Sequence, residues 1–273
     1  MYKVRKPAVA GYFYPSDPDE LKRIIGSFLT KPDSPLNAEN IFGIVSPHAG
    51  YLYSGKTAGY AYNLIKDKKI ETVVIISPSH VEYFPGISVY DGDAYQTPLG
   101  TMQLNKNMIE KLTGADKLIF KGILGHKAEH AIEIQLPFLQ VVLKEFEIVP
   151  IVMGDQGKRF ITVLSSVLAD VIDDKTLIVA SSDLSHYYSK SKANELDSIV
   201  ERRIINFEFE KLNDDLERGN CEACGGGTIV AMMQTAALFN KKRSVVLHRS
   251  DSGDVSGDNA KVVGYLSAAI YGN

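Results

Sequence analysis

The stretch Val73-Val74-Ile75-Ile76-Ser77-Pro78-Ser79-His80 decides the fold. Four β-branched residues run without a break, and Ser-Pro then stops them. This reads as a buried strand with an abrupt end. Two other stretches repeat the plan. Ile41–Val45 leads into Ser46-Pro47-His48, and Leu177–Ala180 leads into Ser181-Ser182-Asp183-Leu184-Ser185-His186. Continuous apolar runs, as opposed to alternating ones, belong to strands covered on both faces, as in parallel sheets. Open α/β sheets bind ligands beyond the carboxyl ends of their strands. Three histidines at three such ends are therefore expected to share one polar site.

Working outward, Asp17-Pro18-Asp19-Glu20 supplies an N-cap, a proline for the first helical position and a capping-box acid. Leu21, Ile24, Ile25, Phe28 and Leu29 continue it as an apolar helical face. The pattern predicts further helices over Ser54–Ile65, Arg159–Ile172, Ala193–Phe207 and Gly226–Phe239. A helix over Glu129–Leu143 is also predicted, kinked or restarted by Pro137. Strands are expected over Asn40–Val45, Lys69–Ser77, Glu147–Met153, Leu177–Ser181, Val245–His248 and Lys261–Tyr271, and a short one within Pro98–Leu104. The last long strand alternates, which suits a sheet edge or antiparallel pairing. Helices between strands imply an α/β fold, with a mostly parallel or mixed sheet covered on both faces. No break in composition divides the 273 residues, so one α/β domain over 1–273 is expected.

Composition narrows the function. The net charge of −3 offers no basic surface for nucleic acid. Two cysteines cannot build a disulfide framework, which points to a reducing, cytoplasmic setting. Met1–Pro7 lacks the apolar core of a signal peptide, and no apolar run is long enough to span a membrane.

The chemistry-bearing residues fall into few groups. His48 and His80 both follow Ser-Pro elements. A lone histidine in such a place most often bonds loop backbone, but the repeated context favours metal ligation, for which imidazole suits neutral pH. Cys224 is the candidate third ligand. It precedes Gly225-Gly226-Gly227 at a helix start, where the dipole stabilises a thiolate and glycines permit close approach. Cys221 lies three residues earlier, but no thioredoxin-like strand precedes the pair. In Ser182-Asp183-Leu184-Ser185-His186, Asp183 is placed to orient His186 as a general acid or base. Glu129, His130 and Glu133 have the spacing of one helical face. They read either as supports for the site or as a polar surface stripe. The Asp251–Asp258 run lacks EF-hand spacing and reads as a turn-rich loop.

Together these motifs resemble the Memo family. The resemblance rests on Pro47-His48-Ala49-Gly50-Tyr51, Ser77-Pro78-Ser79-His80, Glu129-His130-Ala131-Ile132-Glu133, Ser182-Asp183-Leu184-Ser185-His186 and the Cys224-Gly225 turn, in the same order from about Pro7 to Tyr271. It implies a fold similar to the class III extradiol dioxygenases of the LigB type. His48 and His80 match the two metal-binding histidines, and Cys224 stands where those dioxygenases carry a glutamate. His186 matches their catalytic histidine, with Asp183 beside it. Tyr51 and Gly225 come with the motifs as residues that either support the metal ligands or bind a substrate. The resemblance further implies phosphotyrosine-peptide binding and copper- or iron-linked redox activity, both described for animal members. It also implies a functional link to a radical-SAM protein and an Ammecr-type protein.

Thiolate in place of carboxylate softens the site towards copper(I) or zinc while still permitting iron. Three readings follow for the same cleft. One is a metal-dependent oxidoreductase holding iron or copper on His48, His80 and Cys224. Another is a non-catalytic module for anionic or phosphorylated peptide ligands, or for a small molecule. The third is a metal-free hydrolase with Cys224 as nucleophile and His186 as base.

Overall fold

The computed structural model describes residues 2–30 and 40–272. The chain opens with β1 (Val4–Arg5) and α1 (Pro18–Phe28), whose cap Asp17 accepts the Asp19 and Glu20 N–H groups. The first parallel unit is β2 (Ile41–Ser46), α2 (Tyr51–Ile65) and β3 (Thr72–Pro78). Then come β4 (Ile87–Tyr90), β5 (Ala94–Thr97), β6 (Gly100–Gln103), α3 (Lys106–Ala115), β7 (Ile119–Gly122) and α4 (Gln135–Val142). The second parallel unit is β8 (Glu147–Met153), α5 (Lys158–Val171) and β9 (Thr176–Ser181). The chain ends with β10 (His186–Tyr188), α6 (Lys190–Ile205), α7 (Phe209–Glu217), α8 (Gly226–Leu238), β11 (Arg243–Asp251), α9 (Gly253–Ser256) and β12 (Val262–Tyr271).

The main sheet runs β10-β12-β2-β9-β3-β8-β4-β7, with β11 paired to β12. The four strands β2, β9, β3 and β8 are mutually parallel. Their residues are buried almost throughout, as unbroken apolar runs require. The antiparallel β12 makes the sheet mixed. It does not lie at an edge: β11 covers one of its sides, and β10 and β2 share the other. A smaller sheet, β1-β5-β6, holds the amino-terminal segment.

Helices cover both faces. A Cβ on Gly43 of β2 would sit 2.4 Å from the Met232 sulfur of α8, so that face has room for no side chain there. α8 also packs on β9 and β3, with α5 and α7 behind it. α2 packs on β2, β11 and β12, with α1 and α4 behind it. Among the described residues no helix is long and apolar enough to cross a membrane.

Two sequence expectations change. The Glu129–Leu143 helix is confined to Gln135–Val142, with turns over 131–134. The Glu129 carboxylate bonds the Ala131 N–H two residues ahead, a local bond that competes with helix. Pro137 then falls in the first turn of α4, where no N–H is needed. The sequence pattern also marks none of β4, β5, β7, α3 and α7. The strands among these are only four residues long, too short for periodicity to show.

Candidate metal centre

Because β9 lies between β2 and β3, the carboxyl ends that carry the three histidines are neighbours. Ser46 pairs with Ser181, and Ile76 with Ala180. His48 follows β2 and is buried. Its N–H donates to Asp183 Oδ1 at 2.8 Å, and its ring Nδ1 lies 2.9 Å from Ser181 Oγ. His80 follows β3. Its N–H donates to Glu129 Oε2 at 2.6 Å, and its Nδ1 lies 2.9 Å from Glu129 Oε1. Each ring is thus tied to the protein through Nδ1, which leaves Nε2 free to ligate.

Cys224 reaches the same point from the turn before α8. Its Sγ lies 3.1 Å from His48 Nε2 and accepts the Asp183 N–H at 3.2 Å. Gln156 clamps this turn: its amide nitrogen donates to Cys224 O at 2.7 Å and its oxygen accepts the Gly227 N–H at 2.9 Å. Gly225 allows the close approach, since a Cβ there would sit 2.2 Å from Ser181 O.

The donor atoms of His48, His80 and Cys224 all lie within 4.8 Å of one another. Ligand bonds of roughly 2.0–2.3 Å to a tetrahedral ion place donors about 3.3–3.6 Å apart, so this nitrogen–nitrogen–sulfur set fits a metal. A second group, His80, Glu129 and His130, meets the same distance test. Its Glu129 is already bonded to His80 Nδ1 and N–H and to Ala131 N–H. That is the carboxylate–histidine support a metal ligand usually carries. His130 stacks on the His80 ring at 4.9 Å, with its Nδ1 3.5 Å from Glu129.

Burial dominates the electrostatics. It holds the His48 pKa well below the ordinary imidazole value, and neighbouring His80 and His130 add to that, so this ring stays neutral. On His80, burial opposes charge, but the Glu129 hydrogen bond and charge outweigh it and the pKa is raised. Burial pushes Asp183 up to about 7 despite the His48 N–H bond. Burial and the nearby Asp183 raise the Cys224 thiol. The helix dipole therefore does not by itself produce a thiolate, as the sequence suggested; a bound cation would be needed.

The remaining candidates separate. His186 opens β10 at the rim of a cleft of about 500 Å³ that Cys224, Cys221, Leu184, Leu216 and Glu222 also line. Burial lowers its pKa, although its bond to the Leu184 backbone works the other way. That backbone, and not Asp183, orients the ring. Among the described residues no hydrogen bond joins Asp183 to His186, because the Asp183 carboxylate is turned to the His48 and Ala49 N–H groups. Tyr187, next to His186, is exposed and holds φ at 65°, a costly conformation for a bulky residue.

Glu133 does not join Glu129 and His130 on one face. It is fully buried and anchors the amino-terminal segment, pairing with Arg5 and accepting from Ala8 N, Val9 N and Tyr14 Oη. Tyr51 is buried too, its hydroxyl donating to Ile134 O at 2.8 Å, so it supports the site from within the core. Asp251 and Asp254 are paired with Lys190. Ser181, Gln135, Gln156 and Arg5 also hold the site, though the sequence pattern singles out none of them. Ser181 sits inside a quoted motif, but nothing local marks the others.

The model of the family described as "Memo-like protein" matches residues 5–269. A MEMO1 family protein of Thermoplasma volcanium is 38% identical over 265 residues, covering 97% of each chain. Those of Methanosarcina mazei and Thermotoga maritima are each 37% identical, covering 98% of this chain and 99% of theirs. Among solved structures, an uncharacterized Escherichia coli K12 protein matches at 12% identity with a TM-score of 0.49, over 84% of this chain and 99% of that one. The chain belongs to the Memo family.

Proposed function

We propose that this chain is a metal-dependent oxidoreductase, related in design to extradiol dioxygenases, with iron or copper on His48, His80 and Cys224. The observation that carries the reading is the convergence of these three donors within 4.8 Å from three separate parts of the chain. An iron or copper ion there would supply a redox-active Lewis acid with open positions. Around it, His48 and His80 are held by Ser181 and Glu129, and the Gln156 clamp fixes Cys224. His186 is the acid or base for a substrate in the adjoining cleft. Its lowered pKa keeps it neutral and able to take a proton near pH 7.

Two observations weigh against the rival readings. The α8 start does not offer free N–H groups to an anion: Ser182, Ala223, Gln156 and Gly225 accept those of Gly225 to Thr228. For a metal-free hydrolase, the Cys224 thiol is raised and its ring partner is His48, not His186.

The test is anaerobic loading with iron(II) or copper(I), followed by metal analysis and oxygen uptake with small diols. Stoichiometric metal lost in His48→Ala, with diol-dependent uptake lost in His186→Ala, is the expected result. Equal weak uptake of metal by all forms would overturn the assignment.

A further inference from the structure

Tyr62, Gln135 and Ser181 form a fully buried chain of hydrogen bonds that ends on the His48 ring. The Gln135 amide orientation is fixed. Its nitrogen donates to Pro47 O at 3.0 Å, and a flipped amide would set oxygen against oxygen. Its oxygen then accepts from Tyr62 Oη at 2.7 Å, and its nitrogen also donates to Ser181 Oγ at 2.8 Å. Ser181 has one hydroxyl proton, and the Ala131 carbonyl takes it at 2.8 Å. The third contact of Ser181 Oγ, 2.9 Å from His48 Nδ1, must therefore be one it accepts. Turning the hydroxyl proton towards His48 instead would strip the buried Ala131 carbonyl of this partner, which a buried acceptor does not tolerate cheaply.

We infer that Ser181, locked between Gln135 and the Ala131 carbonyl, is a positioning residue that fixes His48 as its Nδ1–H tautomer and directs the Nε2 lone pair towards Cys224. The other tautomer would place a proton where a metal must sit. The tautomer follows from the hydrogen bonds alone; its consequence for metal affinity rests on the functional reading above.

The test separates the two. The metal-free protein, labelled with ¹⁵N, is examined by long-range ¹H–¹⁵N correlation of its imidazole nitrogens. Wild type is expected to show His48 protonated at Nδ1 and bare at Nε2, Ser181→Ala a tautomer mixture, and Ser181→Thr the wild-type pattern. An Nε2–H ring in wild type, or an unchanged ring in Ser181→Ala, would overturn the inference. Cobalt(II) titration then reads the consequence. Ser181→Ala should bind about 10–100-fold more weakly, as for lost supports of metal ligands, with Ser181→Thr restoring affinity. Wild type that takes no cobalt would sink the metal reading while leaving the tautomer result standing. Equal cobalt affinity in wild type and Ser181→Ala would overturn the positioning role.

Discussion

Cys224 Sγ and His48 Nε2 stand 3.1 Å apart although 176 positions separate them in the chain. A neutral imidazole and a raised thiol at that distance share a proton position that a metal can occupy. Anaerobic metal analysis should find Cys224→Ser depleted to the level of His80→Ala. Full retention in Cys224→Ser would remove the thiolate from the site.

Glu129 acts on the proposed ligand set through His80, which it grips by ring and backbone. Glu129→Gln keeps an acceptor for the ring but loses its charge. It should weaken metal binding by about 10–100-fold in a chelator competition, with the fold retained by circular dichroism. Wild-type affinity would show that the carboxylate does not tune the ligand.

Asp197 provides a pH readout away from the metal ligands. Burial raises its pKa to about 6 from an ordinary 3.8, against the Ser185 N–H bond. Its folded-state pKa is raised, so its contribution to stability is full below about pH 3.8 and is lost as pH rises through about 6. Asp197→Asn keeps the oxygen that accepts from Ser185 N. In urea titrations from pH 4 to 7.5 the variant should gain stability relative to wild type as pH rises, with a plateau above 6. A flat difference would contradict the raised pKa.

Gly225→Ala forces a Cβ to 2.2 Å from the Ser181 carbonyl oxygen and 2.9 Å from Ser182 Cβ. Backbone on one side and a packed strand end on the other leave little room to relax. Urea denaturation should show a loss of about 1–3 kcal/mol or more, together with weaker metal uptake. Gly219→Ala, with no atom near its Cβ but φ at 69°, should cost stability without touching the metal.

The buried pair of Arg5 and Glu133 ties β1 to the turn that carries Glu129, and Arg5 also donates to the His126 and Glu129 carbonyls. Arg5→Ala leaves a carboxylate buried without its cation and should cost about 3–5 kcal/mol in chemical denaturation. The double variant Arg5→Met, Glu133→Gln should recover part of that loss. Equal instability of the single and double variants would show that packing, not charge, holds the segment.

Much of the fold was legible because burial on both faces writes itself into a strand. Val73–Ile76 and Leu177–Ala180 could hardly be anything else. The helices α1, α2, α5, α6 and α8 are marked by their apolar stripes to within a few residues at each end, whereas α3 and α7 are not. The turn at Glu129–Ile134 was not legible either, since a carboxylate that bonds its own loop and a charged helix face look alike in one dimension. Glu133 misled for the same reason: helical spacing placed it beside Glu129, while the fold gave it to Arg5.

By itself the sequence determined where strands stop and which residues stand at their ends, because hydrophobic runs and Ser-Pro breaks are local physics. It thereby named His48, His80 and His186, and the glycine-rich helix start named Cys224. The strand order was decided only in three dimensions: β9 slots between β2 and β3 and turns three separate strand ends into one wall. Tertiary structure likewise gave Asp183 to the His48 backbone, raised the Cys224 thiol and set Ser181 against the His48 ring. Those properties depend on distance and dielectric between residues far apart in the chain, and no local pattern encodes them.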